Sequence, residues 1–364
     1  METESFELKV LDIVEETGDA RSVTFEVPEG QEETFAYKPG QFLTLAVPSD
    51  RTGVAARCYS LSSSPHDEGP LTVTVKRTDE GYASNWICEH LQVGDTMRVL
   101  PPSGIFTPAS LDADLMLLAG GSGITPIMSI TRTALADGAG RIVLFYANQD
   151  ERSVIFAEEL SRLAAENPDR LKVVHWLVSV QGLPTQDQMR AFAADYATYD
   201  AFVCGPAPFM KITVAALKEL EFPRARRHQE KFVSLGGNPF GDLHDVEVAE
   251  NEITTAEMDE DDAAADAAAA SRGPVKLEVE LDGEEYTFDD WDPRTKMLDF
   301  LESKGVKAPY SCREGECSAC AIRLLQGEVK MLNNDILEDE DLEEGIRLGC
   351  QSLPLTDTVK VTYS

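Results

Sequence analysis

The rhythm of apolar and polar positions changes along this chain. From Phe6 to about Pro108, β-rich runs come short and separated by turn signals: Glu7–Ile13, Ser22–Val27, Gln41–Val47, Leu71–Lys76 and Thr96–Leu100. Short strands at this spacing predict a small antiparallel barrel or sandwich. From Leu111 the apolar runs are Leu115–Ala119, Ile142–Ala147, Val173–Val178 and Ala201–Cys204, with helical segments between them. That alternation predicts a parallel sheet with helices on its faces. From Asp242 to Gly273, Asp, Glu and Ala dominate, a composition that buries too little apolar surface to order itself and predicts a flexible acidic tether. Beyond it, strands are predicted near Lys276–Glu280, Glu285–Phe288, Ala321–Leu325 and Thr358–Thr362, with a helix near Thr295–Ser303. The expected organisation is a barrel domain over 1–110, an α/β domain over 111–241, a linker over 242–273 and a small α+β domain over 274–364.

Chemistry enters through the last of these. Cys312, Cys317 and Cys320 lie in a C-x4-C-x2-C loop, and Cys350 follows thirty residues on. Three thiolates at this spacing with a distant fourth match the plant-type ligand pattern for a [2Fe-2S] cluster, each iron taking two protein thiolates. Gly315, Ser318 and Ala319 leave room for the loop to aim backbone N–H groups at sulfur. Zinc is the competing reading, but structural zinc sites usually pair two short knuckles, and here Cys317 and Cys320 form one. A disulfide framework fits less well with seven cysteines in a long chain that begins without a secretory pattern. The size of the segment 274–364 and the order of its elements suit a β-grasp ferredoxin domain.

Two earlier stretches point to ligands. Arg57-Cys58-Tyr59-Ser60 places an arginine, an aromatic and a hydroxyl on one strand, suited to a flat, phosphorylated ligand: Arg57 for a phosphate, Tyr59 against a ring, Ser60 for a ring nitrogen. Gly81-Tyr82-Ala83-Ser84 precedes a short helix, with Ser84 expected to cap it and the helix N-terminus offered to a pyrophosphate. In the α/β domain, Gly120-Gly121-Ser122-Gly123-Ile124-Thr125-Pro126 follows a strand and opens a helix expected over Pro126–Asp137, the setting of a dinucleotide phosphate turn. Cys204-Gly205-Pro206 ends the last expected strand, which places Cys204 to face a bound nicotinamide. Cys58 and Cys88 read as packing thiols.

With 364 residues and a formal charge of −33, the chain has material for several cores and repels nucleic acid and anionic membranes. A basic docking face on a partner protein would be steered in. No apolar run reaches the roughly 18 residues of a membrane span, so a cytoplasmic setting is expected.

These motifs, in this order, resemble the ferredoxin-NADP reductase superfamily in its arrangement with a C-terminal ferredoxin. Within it, Tyr146-Ala147-Asn148, Val154-Ile155-Phe156, Phe232-Val233-Ser234-Leu235 and Asn238-Pro239-Phe240 look like the family of reductase components of 3-ketosteroid 9α-monooxygenase, with the phenylacetyl-CoA epoxidase reductases the nearest rival. The resemblance implies FAD, a [2Fe-2S] cluster and NADH. It implies Arg57 at the flavin phosphates, Tyr59 on the isoalloxazine, Ser60 at N5, Val75 and Lys76 along the ribityl and ring edge, and Gly81, Ala83 and Ser84 at the pyrophosphate. Phe240 would cover the nicotinamide face of the flavin. Gly121, Gly123, Thr125 and Pro126 would shape the pyridine-nucleotide pocket, with Cys204 and Gly205 beside the nicotinamide and Cys312, Cys317, Cys320 and Cys350 holding the cluster. Hydride transfer needs positioning rather than a catalytic acid or base; Ser60 and Cys204 are the side chains nearest the chemistry. Arg152 set against Asp150 and Glu151 favours NADH over NADPH. The expected activity is reduction of a terminal oxygenase, the protein acting as a monomer. A dihydroorotate dehydrogenase-type electron-transfer subunit and a redox-sensing iron–sulfur flavoprotein are the alternatives.

Overall fold

The computed structural model describes residues 5–49, 53–67, 69–78, 81–232, 239–240, 273–281, 283–310, 312–315, 317–337 and 339–363. The expected linker lies outside them except for Gly273. Described residues between 4 and 47 and between 55 and 233 form one compact unit; those between 48 and 54 and from 234 onward form another.

The first unit begins with six antiparallel strands: β1 Phe6–Thr17, β2 Ala20–Phe25, β3 Phe42–Ser49, β4 Gly53–Ser60, β5 Leu71–Lys76 and β6 Thr96–Ser103, in the order β4-β3-β6-β1-β2-β5. An antiparallel bridge between Leu61, just past β4, and Val73 in β5 joins the two ends, so the sheet closes as a barrel. Its interior is filled by Leu8, Val23, Phe25, Leu43, Leu45, Leu61, Val73 and Val99. Helix α1 (Tyr82–His90) buries Ala83, Ile87 and Cys88. β4 escapes the apolar pattern because most of its residues are only half-buried, and it carries the Arg57–Ser60 tetrad.

A five-stranded parallel sheet follows, built from β7 Leu115–Gly120, β8 Ile142–Asn148, β9 Leu171–Leu177, β10 Asp200–Cys204 and β11 Arg227–Glu230, ordered β11-β10-β7-β8-β9. Its helices are α2 Ile124–Asp137, α3 Ala157–Glu166, α4 Val178–Gln181, α5 Gln186–Ala194 and α6 Ala207–Glu219. Every residue of β7 and β8 is buried, as expected for strands covered on both faces. β11 was not expected: its residues Arg-His-Gln-Glu carry no apolar signal, and pairing with β10 alone makes it a strand.

A polar seam ties barrel to nucleotide sheet. Ser64 Oγ and Thr133 Oγ1 lie 2.9 Å apart, Ser129 Oγ donates to the Ser63 carbonyl at 2.6 Å, and Arg132 donates to the Ser62 carbonyl. The same guanidinium forks onto Glu159 at 2.9 and 2.5 Å and lies over the Phe156 ring. Phe106 meets Phe202 edge-on at 5.3 Å, so apolar contact backs the seam.

The second unit holds a mixed sheet ordered β13-β12-β18-β14-β16, from β12 Val275–Leu281, β13 Glu284–Trp291, β14 Ala321–Gln326, β16 Ile346–Leu348 and β18 Thr358–Thr362. β12 and β18 run parallel, and their other neighbours run antiparallel, which is the β-grasp arrangement. Helix α7 (Met297–Ser303) buries Met297, Leu298, Phe300 and Leu301 in the core with Trp291, Val279 and Val359. Strands β15 (Val329–Met331) and β17 (Ser352–Pro354) pair separately, and a short α8 spans Asp339–Glu343. No helix among the described residues is long and apolar enough to cross a membrane.

Candidate functional site

At the barrel edge the strand pleat splits the tetrad. Arg57 and Tyr59 are half-buried on one face, whereas their neighbour Ser60 is 4% exposed, so the three side chains do not share one face as expected. Arg57 Nη1 donates to the Ala56 carbonyl at 2.7 Å. Burial pushes the Tyr59 phenol well above its ordinary range, partly offset by the Arg57 charge, so Tyr59 stays neutral. Val75 is fully buried in the barrel core, leaving only its backbone for a ligand, and Lys76 Nζ is 3.4 Å from Asp19.

Ser84 is not the helix cap. α1 starts at Tyr82 with Gly81 as N-cap and no side-chain cap; Ser84, at the third helical position, accepts the Thr78 N–H at 3.1 Å. A Cβ on Gly81 would come within 2.8 Å of Thr78 Cβ, so the turn requires glycine. A helix start whose N–H groups no side chain caps suits a pyrophosphate, and on that ground the residues fit FAD.

In the parallel sheet, two strand-end turns interlock. A Cβ on Gly123 would lie 2.2 Å from the Cys204 carbonyl oxygen, and one on Gly205 would lie 3.0 Å from Gly120 Cα. Gly121 has φ 51°, and its carbonyl accepts from Tyr146 Oη at 3.2 Å; the same hydroxyl accepts the Ile155 N–H at 3.3 Å. α2 begins at Ile124, two residues earlier than expected, with Gly123 as an N-cap that offers no side chain. Thr125 Oγ1 donates to the Ser122 carbonyl at 3.2 Å, and Pro126 sits in the first turn where its missing N–H is harmless.

Cys204 departs from expectation. Its side chain is 0% exposed and packs in the sheet core with Phe202 and Ile124, so the Cys204–Gly205 backbone, not the thiol, lies against the glycine turn. Burial, with the Glu230 carboxylate adding, raises the thiol well above its ordinary range against the Gly205 N–H. Asp150 is also committed elsewhere: its Oδ1 accepts the Arg152 and Ser153 N–H groups at 3.0 Å each, capping the turn after β8. Phe240 is 2% exposed and groups with the second unit rather than with the barrel and nucleotide sheet.

Glu230 carries no signal in the sequence, and Phe232 and Asn148 appear there only as marks of resemblance. Glu230 pairs in register with Cys204, and burial pushes its carboxyl up to about 8. Phe232, two residues past β11, is 49% exposed. Buried Asn148 stands at the C-terminal end of β8, its side chain by the Tyr146 hydroxyl. Ligands of such sheets bind outside the carboxyl ends of the strands, so a polar side chain there suits a nucleotide. Only the strand pairing brings these groups to one edge.

In the second unit the four cysteines converge. All are buried; the Cys312 N–H points at Cys317 Sγ at 3.5 Å and the Glu314 N–H at Cys312 Sγ at 3.4 Å. Hydrogen bonds with the Cys312 and Cys320 thiols, then burial, push the Cys350 thiol far up, the mark of sulfurs crowded together. Gln351 Nε2 bridges the Arg313 carbonyl at 2.5 Å and Cys350 Sγ at 3.9 Å. Gly315 (φ 80°) would place a Cβ 2.6 Å from the Asn333 carbonyl oxygen, so the loop closes only around glycine. Among the described residues no group of three or more His, Cys, Asp or Glu side chains is arranged for a lone ion, so the geometry adds nothing to the zinc reading. Four buried sulfurs with N–H groups aimed at them fit a [2Fe-2S] cluster.

Family models match each part: an oxidoreductase FAD-binding domain over residues 7–107, an oxidoreductase NAD-binding domain over 117–215 and a 2Fe-2S iron-sulfur cluster binding domain over 279–355. The phthalate dioxygenase reductase structure shares the fold, with a TM-score of 0.57 and 22% identity over 98% of both chains. Barrel, nucleotide sheet and cluster domain in one chain define a flavin- and iron–sulfur-dependent oxidoreductase. The ferredoxin reductase component of 3-ketosteroid-9-alpha-monooxygenase from Rhodococcus rhodochrous is 53% identical over 98% of this chain and 96% of its own. A 1,2-phenylacetyl-CoA epoxidase component from Escherichia coli is 30% identical over 98% of this chain and 97% of its own. The chain belongs to the family of the 3-ketosteroid-9-alpha-monooxygenase ferredoxin reductase components.

Proposed function

We propose that this protein takes electrons from NADH and delivers them one at a time to the Rieske-type terminal oxygenase of a 3-ketosteroid 9α-hydroxylating system, in the cytoplasm and as a monomer. The observation that carries this reading is the 53% identity, spread over nearly the whole of both chains, with the Rhodococcus rhodochrous component. When bound, FAD supplies the conversion between a two-electron hydride donor and the one-electron cluster. The chain's residues do the positioning. Arg57 offers positive charge to the flavin phosphates, Tyr59 packs against the ring, and Ser60 lies at the strand end next to them. The backbone of Val75 and the side chain of Lys76 border the ribityl and ring edge, and Gly81, Ala83 and Ser84 form the uncapped helix start for the pyrophosphate. Gly121, Gly123, Thr125 and Pro126 shape the nucleotide pocket, the Cys204–Gly205 backbone backs the nicotinamide, and Cys312, Cys317, Cys320 and Cys350 hold the cluster. We place the domains at 1–110, 111–241 and 274–364, with 242–273 as the linker, and the acidic surface against a basic docking face on the oxygenase. Asp150 is taken up by its turn, which leaves the choice of NADH over NADPH to the rest of the 148–153 segment.

Reconstitution with NADH and either a ketosteroid 9α-oxygenase or a phenylacetyl-CoA epoxidase tests the proposal. Turnover with the steroid oxygenase is expected; turnover with the epoxidase alone overturns it.

A further inference from the structure

We propose that the phenolic O–H of Tyr363 donates a hydrogen bond to a cysteine sulfur of the Cys320–Cys350 pair when the [2Fe-2S] cluster is in place, and so raises the cluster's reduction potential. Tyr363 directly follows β18, and its ring packs against the core of the cluster domain. Its hydroxyl is buried and has no hydrogen-bond partner among the described residues. Leaving such a donor unpaired is costly, so a buried phenol rather than phenylalanine calls for an acceptor.

The surroundings indicate which. A Cβ on Gly349 would lie 2.9 Å from the Tyr363 oxygen and 3.3 Å from the Cys320 carbonyl oxygen. The hydroxyl therefore sits over the backbone next to Cys350, on the side where the Gly349 N–H donates to the Cys320 carbonyl at 2.9 Å. The hydroxyl makes no hydrogen bond to that carbonyl, and the nearby Glu302 carboxylate is taken by Arg313. The remaining anionic acceptors are the ligand sulfurs. A reduced cluster carries one more negative charge than an oxidised one, so an O–H donor at sulfur stabilises the reduced form more.

The inference rests on the cluster reading and is tested in the full-length holoprotein. In Tyr363→Phe, unchanged iron and sulfide content with a more negative midpoint in an EPR-monitored redox titration is expected. A tenfold shift of the reduction equilibrium corresponds to about 59 mV for a one-electron couple. One exchangeable deuteron coupling to the reduced cluster should also disappear from the ENDOR spectrum. A fully loaded Tyr363→Phe protein with the wild-type potential overturns the inference. If that variant loads poorly, Gly349→Ala, whose methyl would displace the phenol, decides: the same negative shift supports the inference, and an unchanged potential overturns it. Failure of the cluster reading itself would show separately, as unaltered protein without a cluster EPR signal on reduction.

Discussion

Glu230 is an unremarked carboxylate in the sequence and a buried one in the fold, because β11 sets it beside Cys204 in register. Its folded value of about 8 stands above the 4.5 of an ordinary glutamate, so the unfolded chain releases the proton first as pH rises. Stability from this group is fully present below pH 4.5, falls between about 4.5 and 8, and is gone above that. Chemical denaturation across this range should show Glu230→Gln losing less stability than the parent; identical pH profiles would mean the carboxyl is solvated. A second prediction concerns Gly123, whose added methyl would collide with the Cys204 carbonyl oxygen. Gly123→Ala should destabilise by about 1–3 kcal/mol and weaken NADH binding, measured by thermal melts and titration. At this scale the convergence of Cys312, Cys317, Cys320 and Cys350 is legible, since their spacing is itself the chemical requirement for a cluster. The pleat turns Ser60 away from Arg57 and Tyr59, the helix starts with Gly81 and not Ser84 as its cap, and burial hides the Cys204 thiol, none of which a linear motif records.

Among the elements, strands with apolar runs are read directly, β4 shows itself only through the Arg57–Ser60 tetrad, and β11 does not show at all. β4 is a half-buried strand rich in polar groups, and β11 is a sheet-edge strand of four polar or charged residues held by pairing with β10. The seam between barrel and nucleotide sheet was also invisible, because Ser62, Ser63, Ser64, Ser129, Arg132 and Thr133 meet across 60 or more residues of chain. Arg132 carries much of it through Glu159, the Ser62 carbonyl and the Phe156 ring. Arg132→Ala should cost roughly 2–4 kcal/mol in urea unfolding of the full chain, since it leaves a part-buried carboxylate without its fork. Flavin release should become easier in the same variant, measured by fluorescence of free FAD. In the cluster loop, Cys350→Ser should abolish the cluster's EPR signal and lower iron and sulfide content while FAD content stays at the parent level. Loss of both cofactors together would tie the two units more closely than this predicts.

Over the whole molecule, a charge of −33 biases every encounter. If the oxygenase presents a basic face, association should slow steeply as ionic strength rises past the range where the Debye length is about 10 Å. Stopped-flow rates that ignore salt would remove electrostatic steering from the account. The sequence by itself determined the class of each domain and the set of cofactors, because these depend on local spacing and periodicity. Only the tertiary structure decided which face each side chain serves: that Cys204 is interior, that Asp150 holds a turn, that Glu230 pairs with Cys204 at the sheet edge, and that the Tyr363 hydroxyl is buried over the Gly349 backbone. Those outcomes depend on pairings between distant strands and on burial, and neither is written in the residues near each site.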